Sequence, residues 1–202
     1  MRHTGSCGSG LIILAMAAAL LAWPTASAAQ AVVGEAKAAQ TTVLGFLGAA
    51  TTTVLADSGT LGSTSDARDA SLDAGSVPSV FTGEVLSAST IGWSDQVASE
   101  ASLANLGMTV GGTGISADFV MASATALLGG AGGGTCLVDN LSINGVPVSV
   151  SGLPNQMLWI PGGQIVINEQ TVSATGTTVN ALHATVFGVA DVVIASASAG
   201  IQ

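Results

Sequence analysis

The chain has 202 residues, 49% hydrophobic and only 7% charged, with 27 Gly, no Tyr and a net charge of −9. So apolar a composition excludes intrinsic disorder, and three basic residues against twelve acidic ones argue against nucleic acid or an anionic membrane surface as partner. The apolar residues are mostly Ala, Val, Leu and Ile, which predicts a core built from many small contacts.

Arg2 and His3 give a short basic start, Leu11 to Ala22 an apolar run, and Ala26-Ser27-Ala28 a small-residue cleavage pattern. These features predict a signal peptide over residues 1–28, because the apolar run falls short of the roughly 20 residues of a spanning helix. The mature chain, about 174 residues, keeps Lys37 and Arg68 against twelve acids, a net charge of −10. That length suits one domain without an obligatory disulfide framework. Cys7 leaves with the leader, so Cys136 is the one remaining cysteine and cannot form a zinc or redox pair by itself.

Residues 29–40 are small and polar and read as a flexible start. Thr41 to Leu47 and Thr51 to Ala56 are Thr/Val/Leu-rich and predict two short strands. Residues 57–78 are rich in Ser, Asp, Gly and Ala and read as a long loop. Ser79 to Ile91, Gln96 to Val110 and Ile115 to Leu128 carry the alternation of half-buried strands, the last with Ile115, Ala117, Phe119 and Met121 on one face. A glycine hinge, GGAGGG, occupies residues 129–134. Thr135 to Ile143 and Val146 to Val150 predict a hairpin about Asn144-Gly145, since Asn-Gly favours the primed turns of antiparallel pairs. Shorter strands are predicted at Met157 to Ile160 and Gln164 to Asn168, then longer ones at Thr177 to Gly188 and Asp191 to Ser198. This succession predicts an all-β antiparallel β-sandwich with long strands, occupying residues 41–202 as one domain. A membrane barrel is set aside because its aromatic girdles are missing.

Catalytic and metal-binding patterns are sparse. Glu169 and Asp191 lie near His183 in sequence, and an acid/base group can be drawn from them. No GxSxG or activated Cys motif accompanies them, so His183 is expected to be a plain strand residue sharing parity with Ala181 and Thr185. The spacing of Asp57, Asp66, Asp69 and Asp73 does not match a calcium loop, and the basic Arg68 sits inside it, so a solvated loop is expected. GGAGGG lacks the Lys-Ser/Thr of a phosphate loop, and Asn140-Leu141-Ser142 is a sequon common by chance. Trp93 and Trp159 are the candidate ligand contacts, able to stack on sugars but expected first as core or rim anchors. No catalytic residue, metal or cofactor is predicted.

The stretch GEVLSASTIGWSDQVASEASLANLGMTVGGTGISADFVMASATAL, with the later NEQ, VNALHATVFG and DVVIASASAGI, resembles the choice-of-anchor P family of exported bacterial proteins. The likeness runs from about Thr41 to the end. It implies an extracellular or surface protein, with no established activity, whose relatives carry interchangeable C-terminal sorting signals and a cysteine near that end. Here only Gln202 follows Ile201, so Cys136 is expected to be a free thiol and release rather than tail attachment is expected. Together these readings give a secreted, non-enzymatic structural or interaction module of the bacterial cell envelope or extracellular matrix, whose low charge and edge strands permit self-association. The alternative is a module binding carbohydrate or the cell surface through Trp93 and Trp159. The expected partners are the protein itself or a cell-wall polysaccharide.

Overall fold

The computed structural model describes residues 30–45 and 48–202; the segment read as a signal peptide lies outside them. Among the described residues thirteen strands follow in chain order: β1 (Val32–Leu44), β2 (Ala50–Asp57), β3 (Ala67–Val77), β4 (Phe81–Gly92), β5 (Gln96–Val110), β6 (Thr113–Leu127) and β7 (Gly133–Asp139). Then come β8 (Ser142–Ile143), β9 (Val146–Pro147), β10 (Gln156–Ile160), β11 (Gly163–Ser173), β12 (Gly176–Val186) and β13 (Ala190–Ile201). They form two packed antiparallel sheets, a β-sandwich. The six-stranded sheet has the order β10-β11-β12-β13-β1-β2, and the seven-stranded sheet β3-β4-β5-β6-β8-β9 with β7 also on β6. The chain thus lays down one hairpin, builds the second sheet, and returns to close the first around β1.

Phe81, Leu86, Leu103, Ile165, Ile167, Leu182 and Ile194 are buried between the sheets beside many alanines, among them Ala36, Ala88, Ala122, Ala184 and Ala197. Full burial of each large aliphatic side chain contributes roughly 1.5–3 kcal/mol. Small residues let the sheets approach closely: a Cβ on Gly34 of β1 would run into Thr90 and Leu61. A polar tie crosses this contact, in which Thr90 and Ser99 share a 2.7 Å hydrogen bond and the Ser99 hydroxyl donates to the Ser198 carbonyl at 2.7 Å.

Several local expectations are corrected. Residues 32–40, read as part of a flexible start, belong to β1, a central strand paired with both β13 and β2. The loop expected over residues 57–78 contains β3, an eleven-residue edge strand paired with β4. Its Asp, Ser and Gly content conceals a strand that tertiary pairing imposes. The hairpin about Asn144-Gly145 is present, with both residues at positive φ (51° and 75°), but its β8–β9 ladder is two residues per side and β7 ends at Asp139.

The alternation is also not continuous. In β13, Ala190, Val192 and Ile194 face inward and then Ala195, Ala197 and Ala199 do; β12 changes between Ala181 and Leu182, and β1 between Ala38 and Ala39. Flanking registers place Ala56, Ala38, Ala195, Ala181 and Asn168 in one line across five strands. Ala56, Ala195 and Asn168 in that line have φ of 48°, 51° and 54°. The seven-stranded sheet has a comparable line through Asn105 and Asp118, beside Asn140, and here two successive residues of each strand turn outward. Hence Phe119 and Met121 do not share the inward face of Ile115 and Ala117: Val120 and Ala122 take it over.

Candidate functional site

Outside the core, the polar side chains draw together most tightly on the outer face of the six-stranded sheet. Asn180 on β12 is in register with Glu169 on β11 and Ser196 on β13, and Thr185 on β12 with Asp191 on β13. His183 lies between those rows. Because the inward stripe of β12 changes at Ala181-Leu182, His183 faces outward with Thr185 while Ala181 is fully buried, so the expected shared parity of Ala181 and His183 does not hold. Asn180 and His183 therefore both face outward, and Glu169 reaches both.

His183 Nδ1 is 2.8 Å from Glu169 Oε2, and Nε2 is 2.9 Å from Asp191 Oδ2. Asn180 Nδ2 donates to the same Glu169 oxygen at 2.6 Å and accepts at Oδ1 from the Ser196 hydroxyl at 2.7 Å. The Thr185 hydroxyl donates to Asp191 Oδ2 at 3.1 Å. A carboxylate oxygen at each ring nitrogen calls for an N–H on each, which is the imidazolium. Burial opposes that charge, but the Asp191 hydrogen bond and the attraction of both carboxylates outweigh it and raise the pKa above the ordinary 6.5.

The sequence brought these three residues together only as a conceivable acid/base group and preferred a plain strand residue; the fold does assemble them. The hairpin register of β12 and β13 was the available signal, since a turn at Phe187–Val189 sets Thr185 opposite Asp191. The arrangement is a staple across β11, β12 and β13. Neither ring nitrogen is left to take a proton from a substrate. The carboxylates flank the ring on opposite sides, and among the described residues no three His, Cys, Asp or Glu side chains are placed to hold a metal ion.

Trp93 follows β4, beside Gln96, and is 43% exposed; Trp159 on edge strand β10 is 73% exposed. Trp93 lies at the end of the sandwich where Leu128 meets Asp95, whereas Trp159 lies near Gly162 and Phe187 at the other. They share no groove. Cys136 on β7 faces the six-stranded sheet with Sγ 3.8 Å from the Ala181 carbonyl, and burial pushes its pKa up to about 11. Of the acidic group, Asp66 accepts from the Gly62 amide and from Arg68, both at 2.8 Å, while Asp69 and Asp73 stand on β3. A groove of about 660 Å³ at the β3–β4 turn is lined by Ser76, Thr82, Thr109, Ser116 and Ser142 and by no titratable side chain. No family model, no curated protein and no solved structure matches the chain.

Proposed function

We propose that the chain is a secreted, non-enzymatic structural or interaction module of the bacterial cell envelope or extracellular matrix, and that it associates with copies of itself through β2. The observation that carries this reading is the contrast among sheet edges. β3 bears Arg68, Asp69 and Asp73, β10 is five residues long and β9 only two. These are the features by which proteins blunt an edge. β2 is blunted only at its end, by Asp57 and the positive φ of Ala56: it pairs with β1 on one side only, and no charge or proline interrupts Ala50 to Leu55. Two such edges can pair antiparallel about a two-fold axis, each completing the other's backbone hydrogen bonds. The committed nitrogens of His183 and the likeness to choice-of-anchor P proteins also support a non-catalytic, exported role.

Net negative charge opposes this pairing, and salt screens the repulsion. Light scattering and electron microscopy of the secreted protein are expected to show species that grow with concentration and with salt. Val54→Lys on β2 is expected to hold it monomeric without a change in melting temperature. A wild-type protein that stays monomeric throughout refutes the reading.

A further inference from the structure

We infer that the outer face of the six-stranded sheet binds a neutral, extended polysaccharide along one cross-strand row. Successive registers align Trp159, Gln164, Thr185, Asp191, Thr42 and Thr52 across β10, β11, β12, β13, β1 and β2. On β10, Leu158 and Ile160 turn to the core and Trp159 turns out, while on β11 Gln164 lies on the side opposite buried Gly163 and Ile165. The row therefore begins at an open indole and continues as amide, hydroxyl, carboxylate, hydroxyl and hydroxyl.

That order of groups selects the ligand. An exposed indole offers a flat apolar face to the C–H side of a sugar ring, and the groups beyond it exchange hydrogen bonds with ring hydroxyls. Neighbouring strands are about 4.8 Å apart, close to the repeat of a pyranose chain, so an extended polymer can place about one ring per strand. Asp191 is held from one side: Oδ2 receives His183 and Thr185, and among the described residues Oδ1 has no partner and is left to accept from a ligand. The row contains no Lys or Arg. Lys37, on the same face, is paired with Glu35 at 2.9 Å, so an anionic polymer finds no free cation there. Beyond Trp159 the row presents no large apolar side chain to a lipid or an amphipathic helix.

Trp93, at the other end of the sandwich, supplies an internal control. Affinity electrophoresis of the secreted protein through gels containing mixed-linkage β-glucan, galactomannan or xyloglucan is expected to show retardation by at least one of these neutral, extended polymers, and glycogen, whose branched chains coil, to give none. Polygalacturonate is expected to leave mobility unchanged. Trp159→Ala and Gln164→Ala are each expected to weaken the retardation at least tenfold, and Trp93→Ala to leave it intact. Because Trp159 is largely exposed, thermal melts of Trp159→Ala should match the parent, which separates lost binding from lost folding. Failure of all three extended neutral polymers to retard the protein, equal retardation by glycogen or polygalacturonate, or loss on Trp93→Ala overturns the inference. Self-association is tested separately: Val54→Lys should bind as the parent does, and Trp159→Ala should assemble as the parent does.

Discussion

Replacing His183 by Ala removes the cation that β12 presents to carboxylates on both flanking strands. Buried, its two charge-assisted hydrogen bonds of 2.8 and 2.9 Å would each be worth about 1.5–3 kcal/mol. The Glu169 and Asp191 side chains are 29% and 45% exposed, so solvent screening brings each pair down to about 0.5–1 kcal/mol. The substitution leaves Glu169 with Asn180 and Asp191 with Thr185, so neither carboxylate is orphaned. The expected loss is about 1–2 kcal/mol, or about 2–4 °C of melting temperature per kcal/mol for a domain of this size. It should depend on pH in one direction. Folding raises the imidazole's pKa above 6.5, so its contribution is fully present below that value and fades as pH climbs through the folded-state pKa. Urea denaturation of parent and His183→Ala from pH 5.5 to 9 measures the gap, which should be widest at the acid end and narrow towards pH 9. Parallel stability profiles, or a gap that widens with rising pH, would refute the staple.

Val85 on β4 is 67% exposed at a φ of 49°, a conformation that costs an L residue about 1–2 kcal/mol and that Asn tolerates better. Val85→Asn is therefore expected to stabilise the protein by about 0.5–1 kcal/mol in denaturant titrations; a lower midpoint would show that Val85 makes contacts its exposure conceals. Cys136, with its thiol pushed up to about 11, should be almost wholly protonated and inert to a disulfide reagent at pH 8 in the folded state. Residues 29–202, unfolded without reductant, should then release one thiol per monomer. Zero would indicate an intermolecular bridge.

Fold class was legible because Gly, Pro and Asn-Gly punctuate runs of Val, Ile and Thr, and most strands from β4 onward lie close to where that pattern puts them. Two kinds of information were hidden. β3 is written in residues that prefer turns, and only its partner β4 makes it a strand. The stripe changes at Ala195, Asn105 and Ala181-Leu182 were hidden too: period-two counting assumes uniform backbone, and one local irregularity, with or without a positive φ, reverses every assignment after it. That assumption put His183 on the face of Ala181, and with it went the reason to take Glu169 and Asp191 seriously. The open edge of β2 and the long row from Trp159 to Thr52 exist only once six strands, distant in sequence, have chosen their registers.

The line of reversed residues through Ala56, Ala38, Ala195, Ala181 and Asn168 also bears on how those registers are chosen. Strands written as ASASA or TTTV are nearly self-similar, and in a uniform sheet a slip of two residues would return every side chain to its original face. Here such a slip moves one strand's reversal out of line with its neighbours', so that inward-facing residues on one strand meet outward-facing ones on the next. A polar group such as Glu169 or Asn180 would then be driven towards the core. The line works like the notch in a vernier: it distinguishes otherwise equivalent alignments and lets a low-complexity sequence fold in a single phase.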